Sequence, residues 1–130
     1  MFLIGISLLR YRCKGLHYPE NLQAASVIIC FYNEEPHVLF RTVQTVLERS
    51  DPKILHEVLL VDDSSDYENL HEDVVKYATV NFPSKVKILK TPGRAGLIRA
   101  RMFGARQATG DVRIFKIVAL FTKSVVFVLL

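Results

Sequence analysis

The sequence has 130 residues, half of them hydrophobic, and its 17 basic and 13 acidic side chains leave a net charge of +4. That length fits one domain with a real core, and the apolar share excludes a globally disordered chain. The positive balance gives little support to a nucleic-acid partner, because basic residues are interleaved with acidic ones through the middle and form no aromatic-interleaved stripe.

The chain opens on MFLIGISLL, followed by Arg10, Arg12 and Lys14. This run is too short to span a bilayer, which takes about 20 apolar residues. It also lacks the basic start and small-residue cleavage site of a signal peptide. Cys13 lies in the basic stretch RYRCKG, and Tyr18-Pro19-Glu20-Asn21 breaks regular structure, so residues 1–22 stand apart as an apolar and basic segment. Ser26 to Phe31, SVIICF, is β-branched and continuously apolar and predicts a buried strand, with Cys30 as an inert buried thiol. With two cysteines, no CxxC and no His/Cys cluster, zinc has no support. After the strand, Asn33 suits a helix cap and Pro36 a first helical turn, while Glu34 and Glu35 complement the positive helix start. From Val38 onward Leu39, Val43, Val46 and Leu47 recur at helical spacing, ending near Glu48 to Pro52.

The centre of the chain is Glu57 to Ser65, EVLLVDDSS. Val58 to Val61 predict a strand buried on both faces, and Asp62, Asp63, Ser64 and Ser65 follow at its carboxyl end, where open α/β sheets bind ligands. These residues also suit capping of the next helix, more so the serines than the aspartates, since adjacent carboxylates repel unless something cationic compensates them. A helix is predicted from about Tyr67 to Val80, with Leu70, Val74, Val75 and Tyr77 inward, stopped at Phe82-Pro83-Ser84. Val86 to Leu89 is a third strand. Thr91-Pro92-Gly93-Arg94-Ala95-Gly96 opens a third helix, about Leu97 to Ala108, closed by Gly110 as a left-handed end. Asp111 to Phe115 begins a fourth strand. The last apolar stretch, Ile117 to Leu130, has 14 residues with Lys123 in its middle, again short of a span.

Alternating strands and helices predict parallel βαβ units with right-handed crossovers: an α/β fold, a Rossmann-like half sheet. Three loops then leave strand ends on one edge, so Glu34, Asp63 and Arg94 converge although distant in sequence. The third loop, cationic and glycine-containing at a helix start, suits a phosphate. Neither a P-loop nor a GxGxxG fingerprint occurs. Arg106 reads as part of a solvated face; for Arg99 and Arg101, nearer the loop, a solvated face and a ligand role stay open. His17, His37, His56 and His71 have no ligand spacing and read as surface residues, and no Ser/His/Asp or Cys/His set has local support. A phosphoacceptor receiver domain would need an aspartate closing its third strand, but this one ends Lys90-Thr91-Pro92.

The blocks SVIICFYNE, LFRTVQTVLERSD, EVLLVDDSSD and GRAGLIRARMFGARQATGDV, in order and at the right spacing, resemble the polypeptide N-acetylgalactosaminyltransferases, the enzymes that start mucin-type O-glycosylation. The resemblance runs from about Cys13 to Phe115, the first part of that family's catalytic domain. It implies a GT-A fold whose first half holds the UDP of UDP-GalNAc, a retaining transfer of GalNAc to Ser/Thr of acceptor proteins, Mn²⁺ as cofactor and the Golgi as location. On matching positions Cys30, Phe31 and Tyr32 would line the uracil and ribose. Asp63 would bind on the uracil side, Arg94 and Gly96 would flank the nucleotide, and Asn33 and Glu34 would order the first loop. Cys13 would bridge to a cysteine beyond this chain's end.

The departure from the family begins after Phe115. There the family continues into an Asp-x-His motif that binds Mn²⁺, whereas here Lys116-Ile117-Val118-Ala119-Leu120 follow and no Asp or His occurs after Asp111. The expectation is therefore a truncated chain: a nucleotide-binding part at 23–115, a tail at 116–130 unlike the family, no metal ligands, no catalytic residues, no complete signal anchor, and no activity alone. Alternatives are activity with metal ligands supplied by another protein, a non-catalytic interaction or decoy module, or a partial gene product. The apolar termini suggest membrane association.

Overall fold

Apolar strand segments alternate with amphipathic helices, and the two central strands, Ala25–Phe31 and Leu55–Asp62, are buried on both faces along most of their length. The computed structural model describes residues 15–17, 19–116 and, for the backbone, 128–129. The expectations for the apolar start, for Cys13 and for residues 117–127 and 130 lie outside the described residues. The elements are β1 (Ala25–Phe31), α1 (Pro36–Arg49), β2 (Leu55–Asp62), α2 (Leu70–Asn81), β3 (Val86–Lys90), α3 (Leu97–Gln107), β4 (Val112–Lys116) and β5 (Val128–Leu129).

The sheet order is β3-β2-β1-β4-β5. The first four strands are parallel, and β5 adds antiparallel to β4, pairing Leu129 with Ile114 and Val128 with Phe115. This is the expected α/β Rossmann-like sheet. The steps β1 to β2 to β3 run one way and the step to β4 returns past β1. Right-handed crossovers therefore place α1 and α2 on one face and α3 on the other.

The strand period of two sorts the core accordingly. Val27, Ile29 and Phe31 of β1 with Val58 and Leu60 of β2 pack against Leu39, Phe40, Val43 and Val46 of α1 and Leu70 and Val74 of α2. Ile28, Leu59 and Val61 pack against Ala100 and Ala108 on the α3 side, with Phe115. Gly104 lets α3 lie close: a Cβ there would stand 2.8 Å from Ile28 Cγ2 and Val61 Cγ2.

Several local expectations change. Asn33 does not cap α1, whose N-cap is Glu35 without a side-chain cap bond, although Pro36 does sit in its first turn. α2 starts at Leu70 rather than Tyr67, after Asn69 in the left-handed region. Its inner face is Leu70, Val74 and Ala78, a strict four-residue step, which turns Val75 and Tyr77 outward. Tyr77 instead stacks on Phe40, ring centroids 3.9 Å apart. Gly110 is not a left-handed helix end, since α3 closes in extended backbone at Ala108 and Gly96 is the described glycine with positive φ. A Cβ at Gly110 would meet Ser26 Oγ at 2.6 Å, so close approach is what requires glycine there.

That approach belongs to a buried polar knot at the strand starts. Glu57 Oε1 accepts from Ser26 Oγ (2.8 Å), Thr109 N–H (2.7 Å) and Thr109 Oγ1 (2.9 Å), and Oε2 pairs with Lys87 Nζ at 2.7 Å. Ser26 Oγ in turn accepts the Gly110 N–H at 2.9 Å. One carboxylate thus ties β1, β2, β3 and the turn into β4. Burial pushes Glu57 up, but the Lys87 ammonium, the Thr109 N–H and the two hydroxyls outweigh it and hold the carboxyl down to about 2.

Candidate functional site

The carboxyl ends of β1, β2 and β3 open on one edge, opposite the Glu57 knot, and three loops meet there. Asp62 and Asp63, adjacent in sequence, leave the strand toward opposite faces because successive side chains alternate. Each finds its own compensation, which answers the repulsion expected of the pair. Asp62 is fully buried on the α2 side; its Oδ1 accepts the Ser65 N–H at 2.8 Å and its Oδ2 lies 2.9 Å from His71 Nδ1. His71 is therefore not a free surface residue, as its spacing alone suggested, whereas His17, His37 and His56 are exposed.

Asp63 goes the other way, to the start of α3. Its N–H extends the strand ladder to Phe31 O at 3.0 Å. Its Oδ1 accepts Ala95 N–H at 2.8 Å and Thr91 Oγ1 at 3.2 Å, its Oδ2 accepts Gly96 N–H at 2.9 Å, and Arg94 Nε stands 3.6 Å from Oδ2. The N-cap of α3, Gly96, has no side chain to cap with, so a carboxylate from the neighbouring strand takes the free N–H groups. At φ +84° with nothing within 4 Å of an added Cβ, Gly96 is needed for its backbone shape rather than for space.

The first loop is stitched to the second. Asn33, at φ 49°, accepts the Asp66 and Tyr67 N–H groups on Oδ1 (2.7 and 3.3 Å) and donates its own N–H to Ser65 Oγ at 3.0 Å. Ser64, at φ 53°, donates its hydroxyl to Thr91 O at 2.9 Å, joining the second loop to the third. Tyr32 OH donates to Asp66 Oδ2, and the Arg94 guanidinium carbon lies 3.2 Å from the Tyr32 ring centroid. The Asp66 carboxylate holds the Tyr32 phenol above its ordinary value, with Arg94 pulling the other way.

Of the residues singled out from the sequence, Tyr32, Asn33, Asp63, Arg94 and Gly96 come together here. Cys30 lies just below, half-buried on the α3 face; burial pushes its thiol up to about 11, against the pull of Arg101, so it stays protonated near neutrality. Phe31 offers its carbonyl to this edge but turns its ring into the α1 and α2 core, and Glu34 sits half-buried in the turn toward α1. Arg99 and Arg106 are exposed, and Arg101 lies 6.0 Å from the Phe115 ring. Ser64 and Ser65, expected at this edge, join the network, and His71, Asp66 and Thr91 join it without having been singled out. Among the described residues no group of three or more His, Cys, Asp or Glu is placed to hold a metal ion. A cavity of about 320 Å³, lined by Val27, Val46, Leu55 and Ile114 among others, lies on the α1 face away from these loops.

Comparison with known proteins gives the family and the fold. The profile described as "Glycosyl transferase family 2" matches residues 26–120. Polypeptide N-acetylgalactosaminyltransferase 11 of Xenopus tropicalis is 47% identical over 104 residues, 80% of this chain and 17% of that protein. The inactive polypeptide N-acetylgalactosaminyltransferase-like protein 5 of Mus musculus is 45% identical over 103 residues, 79% of this chain and 24% of that protein. The crystal structure of GalNAc-T7 with UDP, GalNAc and Mn²⁺ superposes with a TM-score of 0.74 at 41% identity, covering 78% of this chain and 19% of that one. This chain thus spans about a fifth of the length of the relatives it matches. It belongs to glycosyl transferase family 2, as a GalNAc-transferase-like GT-A chain.

Proposed function

We propose that this chain is the nucleotide-holding part of a polypeptide N-acetylgalactosaminyltransferase fold and binds the UDP of UDP-GalNAc at the loop edge. The observation that carries this reading is the meeting of Tyr32, Asp63 and Arg94: an aromatic face, a buried carboxylate and a cation at a helix start. The ring suits a base, and the carboxylate has a lone pair left for a pyrimidine N–H beyond the two backbone donors and the Thr91 hydroxyl it already accepts. Arg94 and the α3 start suit a diphosphate. Cys30 and the Phe31 backbone border the base and ribose, Gly96 flanks the nucleotide, and Asn33 and Glu34 shape the first loop. Ser/Thr acceptor proteins, Mn²⁺ and a Golgi setting come with the family reading.

A second reading, a non-catalytic binding module, is favoured by one observation: a relative 45% identical to this chain is named as inactive. Both readings need the nucleotide site. Titration calorimetry with UDP tests it: binding is expected, weakened by about 1–3 kcal/mol in Asp63→Ala and in Arg94→Ala, the range for hydrogen bonds to charged groups. Equal affinity in wild type and both variants removes these residues from the site.

A further inference from the structure

The aromatic face at the loop edge is already covered, by this chain's own cation. The Arg94 guanidinium carbon stands 3.2 Å above the Tyr32 ring, within stacking contact, so a base and the guanidinium cannot share that face. The rest of the arrangement lets the guanidinium leave. Its side chain is 55% exposed, and its nearest charge partner, Asp63 Oδ2, is 3.6 Å away, too far for a hydrogen bond. Asp63 is meanwhile satisfied by the Ala95 and Gly96 N–H groups, so the loop stays anchored when Arg94 moves. The ring itself is fixed, because the Tyr32 hydroxyl is held by Asp66 and the next residue, Asn33, is bonded across the loops.

We infer that Arg94 is a specificity-determining occupant of the base platform: it covers Tyr32 until a base displaces it, and a diphosphate on the same ligand then receives it. Resting on the nucleotide reading above, this makes one residue discriminate twice. A nucleoside without phosphates must displace the cation and offers it no new partner. A nucleoside diphosphate displaces it and supplies an anion for its fork of donors. Affinity for the bare nucleoside is lowered by the fraction of molecules whose ring is covered, and that cost is recovered only by phosphate-bearing ligands.

The test is a comparison of uridine and UDP on the full chain, followed by NMR titration, which reads weak affinities. Arg94→Ala is expected to bind uridine about two- to fivefold tighter than wild type, the fold-change of an exposed cation–π contact, while binding UDP more weakly. In a Tyr32→Leu background the same change should bring no gain for uridine. Uridine binding unchanged or weaker in Arg94→Ala, with UDP binding measured in wild type, overturns the inference and leaves the nucleotide site standing. No binding of either ligand by wild type or Arg94→Ala overturns both. If Arg94→Ala does not fold, wild type decides: the Arg94 side-chain protons should be shifted upfield by the Tyr32 ring and lose that shift on saturation with UDP, and an unmoved resonance overturns the inference.

Discussion

Glu57, Asp62 and Asp63 are three buried acids within seven positions of one another, and each is kept in place by a different set of donors. Glu57 has the most consequential set, because its carboxyl lies at about 2 against an ordinary 4.5. A carboxyl whose value is depressed by folding adds stability above its unfolded value and loses it as pH falls toward the folded one. Unfolding by urea should therefore show stability falling between about pH 4.5 and 2, by on the order of 3 kcal/mol from this group. Glu57→Gln should be less stable at pH 7, where Lys87 loses its buried partner, and should flatten the profile in that acid window. A variant with the wild-type slope there would assign the acid sensitivity elsewhere.

At the scale of elements, the placement of α3 depends on two points. Its start is held by Asp63, the residue after β2, and its body approaches the sheet at Gly104. Helix propensity alone says that Gly104→Ala should stabilise α3 by about 1 kcal/mol. The methyl would meet Ile28 and Val61 at 2.8 Å, both in the packed second core, and overpacking costs about 1–3 kcal/mol. The net expectation is a lower melting temperature, and more so for Gly104→Val. A rise in melting temperature for the alanine variant would mean that α3 shifts outward freely. The same contest explains α2, where the four-residue step of Leu70, Val74 and Ala78 wins the inner face and leaves Val75 and Tyr77 outside.

For the whole molecule, the parallel sheet with a crossover return between β3 and β4 brings three loops to one edge and the Glu57 knot to the other. What the sequence by itself determined is the order of elements and the edge on which the loops gather. Continuous apolar runs such as Val58 to Leu60, helical spacing from Leu39 to Val46 and loop residues after each strand are local signals, and the right-handed crossover rule turns them into a topology. It also held the means to part Asp62 from Asp63, because a strand's period of two sends neighbours to opposite faces. Only the tertiary structure decided who meets whom across the loops: His71 with Asp62, Asn33 with Ser65 and Asp66, Arg94 with Tyr32. The loops that make these pairings carry left-handed backbone at Asn33 and Ser64, a conformation that asparagine tolerates better than most residues but that a sequence does not fix at a given position.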